Sequence, residues 1–153
     1  MMKTIVLGVG NPILQDDGVG LHVIEALRER LTNPKVTLET AMTGGMNLLD
    51  LIRGYEKVIL IDAVKQLGSH PGEVKRFKLT DLPTVHSCNP HDVSLSEALQ
   101  LAEQLKEPQL PSSIILIGIT VDNTYEFGEH LSSTVASAVP KAVNLVLEEL
   151  KNT

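Results

Sequence analysis

Polar residues that could carry out chemistry follow three separate apolar runs of the chain. Asp16 and Asp17 lie in the stretch LGVGNPILQDDGVG, which follows the run TIVLG. Asp62 closes the run KVILID, and His91 lies in the loop SCNPHDVSL. In an open α/β sheet, binding sites gather outside the carboxyl ends of the parallel strands, so these side chains are expected to converge. Carboxylates and an imidazole with open coordination positions suit nickel or zinc better than calcium or magnesium.

The loop with the two adjacent aspartates looks like a nucleotide-binding loop but lacks the residues such loops need. Ile13 stands where a dinucleotide fingerprint has its third glycine, and neither a Walker lysine nor the EF-hand spacing of acids is present. One aspartate is expected to cap the helix that starts near Gly18 or Gly20, because aspartate is favoured at helix N-caps. Two adjacent acids cannot share one cap, so the other is predicted to be a site residue.

The other candidates also have structural interpretations. Asp62 could be satisfied by backbone amides at a strand end, and His91 could be an exposed loop histidine. His86, Cys88 and His91 could bind zinc together, but a structural zinc site normally has four ligands and no fourth lies nearby. Cys88 could act as a nucleophile, although its flanks match no nucleophile motif and a small, partly buried residue is favoured. No G-x-S-x-G or H-E-x-x-H motif occurs, which leaves an ordinary serine hydrolase or zinc protease unsupported.

Segments typical of strands alternate with segments of helical period throughout the chain. Continuous apolar runs predict strands buried on both faces, and apolar residues three and four apart predict helices. This order predicts an α/β fold: a single-domain three-layer sandwich with a twisted, mostly parallel five-stranded sheet flanked by helices. The predicted strands are 4–7, 36–40, 57–63, 73–78 (an edge strand) and 113–118; the predicted helices are 20–31, 46–53, 94–106 and 133–151, the last with a kink or a new start at Pro140; residues 80–90 are predicted to form a loop.

The composition is that of one globular domain spanning residues 1–153. A hydrophobic fraction of 42% and a charged fraction of 21% are ordinary for such a domain. The net charge of −6 and the low aromatic content of 3% argue against a nucleic-acid partner. No apolar run is long enough for a signal peptide or a membrane span, and the single cysteine cannot form an internal disulfide. We therefore expect a cytoplasmic protein without a membrane partner, and a monomer.

Four segments in the right order resemble the hydrogenase maturation endopeptidase family, which processes the large subunit of nickel-iron hydrogenases. GVGNPILQDDGVG resembles its Gly-x-Gly-Asn-(x)4-Asp-(Asp/Glu)-x-x-Gly signature, and TGGMNLLDLI its Thr-x-Gly-x-x-Leu-Leu segment. VILIDAV resembles its central strand ending in Asp-Ala, and NPHDVSL its Pro-His-x-x-x-Leu loop. The resemblance implies a phosphorylase/hydrolase-like sheet flanked by helices. It also implies that Asp17, Asp62 and His91 are both catalytic residues and metal ligands, with Asp16 as the supporting acid or helix cap.

The resemblance further implies an endopeptidase that removes a C-terminal extension from a hydrogenase large-subunit precursor after nickel insertion. The nickel would be supplied by the precursor and would either polarise the peptide carbonyl or activate water; a carboxylate could instead act as general base. Other interpretations are a nickel-checking chaperone that does not cleave, and a self-sufficient zinc peptidase. One departure concerns the acid that many members carry before the Thr-x-Gly segment. Thr40 stands there with Glu39 beside it, so a role for that acid is doubtful.

Overall fold

A five-stranded sheet forms the centre of the protein in a computed structural model that describes residues 3–42, 45–65, 70–78, 95–122 and 127–151. The strands follow the spatial order β2-β1-β3-β5-β4. All neighbouring pairs are parallel except β4 with β5, so β4 is an antiparallel edge strand as predicted. Their bounds are β1 Thr4–Val9, β2 Val36–Ala41, β3 Lys57–Val64, β4 Val74–Lys78 and β5 Ser113–Thr120.

Helices cover both faces of this sheet, which confirms the predicted three-layer α/β sandwich. Every residue of β1 and β3 is buried, as expected for strands covered on both sides. On one face, Leu49 of α2 and Leu99 of α3 pack against Leu60 of β3. On the other face, Ile24 of α1 and Val143 of α5 pack against Ile61. The helix bounds are α1 Val19–Arg30, α2 Gly45–Ile52, α3 Leu95–Gln104, α4 Ser133–Ala136 and α5 Val139–Lys151.

The C-terminal helical segment is divided as its proline predicts. A short helix, α4, ends at Ala136, and α5 begins at Val139 with Pro140 in its first turn. Proline is tolerated there because the first backbone amides of a helix have no partner inside the helix. The fresh start at Pro140 is therefore confirmed. None of the described helices is long and apolar enough to cross a membrane.

One detail of the predicted elements changes, and two predictions lie wholly or partly outside the described residues. Asp62 does not end its strand, because β3 continues two residues further to Val64 and Asp62 pairs in register with Gly118 of β5. The predicted loop 80–90 and the start of the helix predicted at 94–106 lie outside the described residues; the helix itself is described from Leu95.

Candidate active site

Glycines in the N-terminal loop allow helix α1 to approach the sheet unusually closely. A Cβ on Gly10 would lie 2.1 Å from the carbonyl oxygen of Asp17, and a Cβ on Gly20 would lie 2.4 Å from that of Ile61. Both distances are far shorter than a carbon–oxygen contact, so neither position admits a larger residue without a shift of the backbone. The glycines thus fix the aspartate loop against β1 and β3, next to Asp62.

Asp17 is held in a short 3₁₀ turn, Gln15–Gly18, that lies between β1 and α1. Its backbone amide donates to the carbonyl of Leu14 at 3.1 Å, and its Oδ2 accepts a hydrogen bond from the amide of Asn11 at 2.8 Å. The residue is 9% exposed. The side chain therefore folds back over its own loop at the carboxyl end of β1, which is where the sheet topology predicts a site.

Asp62 is almost fully buried, at 1% exposure, and its two carboxylate oxygens have different surroundings. Oδ1 accepts a hydrogen bond from the amide of Ala63 at 2.8 Å. Oδ2 has no hydrogen-bond partner among the residues that the structure describes. Burial raises the pKa of Asp62 well above its ordinary value, and the negative charge of Asp17 raises it further, whereas the Ala63 hydrogen bond lowers it.

This pair of carboxylates has the chemistry of a partial cation site. A buried carboxylate oxygen without a partner is costly, and a second carboxylate nearby increases that cost. A cation bound between them would remove both penalties, so Asp17 and Asp62 fit a metal ion with oxygen ligands. Within the described ranges no group of three possible metal ligands occurs.

The third predicted ligand cannot be placed beside them. His91 lies in the stretch 79–94, which is outside the described residues, as do His86 and Cys88. The assignment of His91 therefore stays a prediction. Glu39 and Thr40, whose role was doubtful, are exposed near the end of edge strand β2.

Asp16 does not cap the helix that follows it, and neither does Asp17. The N-cap of α1 is Gly18, which makes no side-chain cap hydrogen bond. Asp16 instead accepts two hydrogen bonds from Ser132, at 2.7 Å from the amide and 2.8 Å from Oγ. Ser132 in turn caps α4 by accepting from the amide of Val135. The cap prediction for the first helix is wrong, because a partner 116 residues away competes for the carboxylate.

Residues 127–132 were missed as a part of the site by sequence reasoning. Gly128 donates its amide to the carbonyl of Ile13 and accepts from the amide of Gln15, each at 2.8 Å. Together with the Asp16–Ser132 contact, these bonds fasten the segment to the aspartate loop. Ser132 carries the one local signal, because a serine directly before a segment of helical period is a favoured N-cap; nothing in the sequence indicates that Gly128 pairs with Ile13.

The fold and this geometry define an α/β protein with a carboxylate site at the carboxyl edge of its sheet. Residues 21–149 match the profile of the hydrogenase maturation protease family, HycI. The chain is 30% identical over 152 residues to the hydrogenase expression/formation protein HupD of Thiocapsa roseopersicina, covering 97% of this chain and 67% of the relative.

Solved structures agree with the sequence relationship. The hydrogenase maturating endopeptidase HybD from E. coli superposes with a TM-score of 0.83 at 27% identity, covering 99% of this chain and 93% of that one. The [NiFe] hydrogenase maturation protease HybD from Thermococcus kodakarensis has a TM-score of 0.72 at 26% identity, with 96% and 98% coverage. The chain belongs to the hydrogenase maturation protease family, so it is a member of a family of peptidases.

Proposed function

We propose that this protein is an endopeptidase that removes a C-terminal extension from the precursor of a nickel-iron hydrogenase large subunit. The cut would follow nickel insertion, and the nickel already bound in the precursor would be the part of the substrate that the enzyme recognises. Asp17, Asp62 and His91 would complete the coordination of that nickel and so bring the scissile peptide bond to the site. Membership of the family and the similarity to the [NiFe] hydrogenase maturation protease of Thermococcus kodakarensis support this proposal.

The single observation that carries the proposal is the uncompensated negative charge of the Asp62 carboxylate when it is ionised. Its Oδ2 is buried without a partner in the described part of the chain, and the nearby Asp17 repels its charge. A substrate that brings its own metal and some of its own ligands needs only part of a coordination sphere from the enzyme. Two carboxylates, with His91 as the predicted third ligand, can supply that part.

The two aspartates can support hydrolysis in more than one way. As ligands they would hold the nickel beside the peptide bond, where the metal can polarise the carbonyl oxygen or lower the pKa of a bound water. Asp62 has a second possible role, because a carboxylate with a raised pKa is a better proton acceptor near neutral pH than an ordinary aspartate.

The test is a processing assay on two forms of the same precursor. A candidate large-subunit precursor, with nickel inserted or without it, is incubated with the protein, and its mass is read before and after. Loss of a C-terminal fragment from the nickel-loaded form alone is the expected result. An unchanged mass of the cognate, nickel-loaded precursor would overturn the proposal; stable binding of that precursor without shortening would then identify a nickel-checking chaperone.

A second experiment separates the proposal from a self-sufficient zinc peptidase. The wild-type protein is purified without chelators, its metal content is determined, and it is offered generic unstructured peptides. We expect no stoichiometric zinc and no cleavage of those peptides. Tight zinc together with cleavage of generic peptides would contradict recognition through nickel in the precursor.

A further inference from the structure

Large apolar side chains are exposed at the carboxyl edge of the sheet, next to the candidate site. Phe127 is 82% exposed, Met42 is 61% exposed and Ile13 is 49% exposed. Scattered single apolar residues on a surface are ordinary, but these three share one edge of the fold. Phe127 stands out because aromatic residues are enriched where proteins bind partners. We name these three residues the apolar rim.

Backbone hydrogen bonds fix the apolar rim relative to the two carboxylates. Ile13 lies four residues before Asp17, and its carbonyl accepts from the amide of Gly128, the residue after Phe127. Met42 follows Ala41, whose carbonyl accepts from the amide of Gly10 at 3.0 Å. Ile13 therefore belongs to the aspartate loop, and Phe127 and Met42 each adjoin a residue whose backbone is hydrogen-bonded to that loop. A partner that contacts the rim is placed at a defined position relative to Asp17.

The charge around the rim indicates what kind of partner fits. The described segments at this edge carry the carboxylates of Asp16, Asp17, Asp122 and Glu129, against one lysine, Lys65. Two copies of the chain that met through this edge would bring like charges together, on a protein whose net charge is −6. A partner that brings a cation, as the nickel-loaded precursor of the proposed function does, complements this charge instead, and its apolar side chains would cover the rim.

We infer that the apolar rim, with Phe127 as its main contact, binds an apolar side chain of the precursor next to the nickel-bearing segment. This inference rests on the proposed function and adds a second point of recognition to it. The carboxylates would bind the metal, and the rim would contact the chain around it. A contact that is equally strong in the ground state and in the transition state lowers KM without changing kcat, and this is the behaviour expected of a docking contact that does not touch the reacting bond.

The experiment compares Phe127→Ser with a matched exposed apolar residue elsewhere. Leu105 is 64% exposed just after α3, at the opposite edge of the sheet, so Leu105→Ser is the control. With nickel-loaded precursor, Phe127→Ser is expected to raise KM roughly tenfold or more while kcat stays the same, as for loss of an interface anchor. Phe127→Leu should recover most of the affinity, and Leu105→Ser should match wild type.

Four results would overturn the inference, and in the first three of them the proposed function still stands. Equal KM values for Phe127→Ser and Leu105→Ser, with wild type still cutting, would refute the rim contact alone. A fall in kcat at unchanged KM would show that Phe127 acts on the chemical step rather than on docking. A wild-type dimer that Phe127→Ser dissociates, with KM unchanged, would identify the rim as a self-contact. Absence of cleavage by wild type refutes the proposed function and the rim inference together.

Discussion

The central strand β3 carries a buried charged residue near each end, and the surroundings of the two differ. At the amino end, Lys57 is 6% exposed and donates from Nζ to the carbonyl of Glu149 at 2.7 Å, with the Glu149 carboxylate 3.9 Å away. Glu149 is also ion-paired with Arg76 of β4. Near the carboxyl end, one oxygen of Asp62 has no hydrogen-bond partner among the described residues, and the nearby charge of Asp17 has the same sign.

This difference separates a structural charge from a functional one on a single strand. The Lys57 ammonium and the Glu149 carboxylate neutralise each other and attach the last turn of α5 to the sheet, so removing the carboxylate of Glu149 leaves Lys57 buried without its counter-charge. Asp62 makes the opposite arrangement, because burial and the charge of Asp17 disfavour its ionised form in the folded protein. Buried groups with disfavoured charge concentrate at functional sites, and the proposed function therefore places its reactive centre at the carboxyl end of β3.

The largest effect is expected from removing the functional charge. Asp62→Asn keeps the size of the side chain but removes a predicted charged ligand. The activation free energy for processing of nickel-loaded precursor should therefore rise by several kcal/mol, so that the rate constant falls roughly a thousandfold. The rate constant for mass loss of the precursor measures this. Asp50→Asn, on the exposed surface of α2, is the control and should cut at the wild-type rate. Normal processing by Asp62→Asn would remove this residue from the site.

A smaller effect, on stability instead of activity, is expected from the structural charge. Glu149→Gln leaves the Lys57 ammonium buried without a carboxylate and should lower the free energy of unfolding by about 3 kcal/mol. Urea unfolding measures the change, and kcat of the folded fraction should not change. Its neighbour Glu148 is exposed on the same helix, so Glu148→Gln is the matched control. Equal stability of the two variants would mean that the buried pair contributes nothing.

The pH dependence of stability gives a third comparison. Burial and the Asp17 charge raise the pKa of Asp62, so the folded state holds this proton more tightly than the unfolded chain. The free energy of unfolding therefore falls as pH rises from the ordinary aspartate pKa of about 3.9 to the raised value in the fold. Asp62→Asn has no carboxylate that titrates at this position, so it lacks this pH dependence. The free energy of unfolding of Asp62→Asn, relative to that of wild type, should therefore rise across this pH range and level off above it. The total rise should be about 1–3 kcal/mol.

Unfolding of both proteins in urea at a series of pH values checks this expectation. Asp17→Asn removes one of the two causes that raise the pKa of Asp62. The pH range over which its stability falls should therefore end at a lower pH than in wild type. A stability difference between Asp62→Asn and wild type that is independent of pH would contradict the raised pKa.

The sequence predicted the fold well because its signals are local. The apolar run of β3, the edge character of β4 and the effect of Pro140 each depend on a few neighbouring residues, and each was found where expected. The bounds moved by one or two residues, since terminal residues of a strand depend on which partner strand continues beside them. Strand β3 shows this, because pairing of Val64 with Thr120 of β5 extends it one residue past its predicted end.

The part of the site that the sequence did not predict depends on contacts between distant residues. Local propensity made an aspartate the natural cap of α1, but the Asp16 carboxylate bonds to Ser132 at the start of α4. The glycine spacing of the loop was recognised as an imperfect dinucleotide fingerprint and as part of a family signature, and neither gives its physical reason. Its physical meaning, the close approach of Gly20 to the carbonyl of Ile61, requires the packed α1 and β3.

The smallest expected effect concerns Asp16, which supports the site without being one of its predicted ligands. Asp16→Ala removes two hydrogen bonds to Ser132 and should lower the free energy of unfolding by about 1–2 kcal/mol. Processing should fall only partly, by roughly tenfold, because the loop that positions Asp17 loosens while the ligands remain. Since Asp16 and Ser132 act through one contact, Asp16→Ala and Ser132→Ala should be non-additive, with a coupling of about 1 kcal/mol in thermal or urea unfolding. Additive losses would mean that each residue acts separately, and loss of processing as complete as for Asp62→Asn would place Asp16 among the groups that act on the substrate.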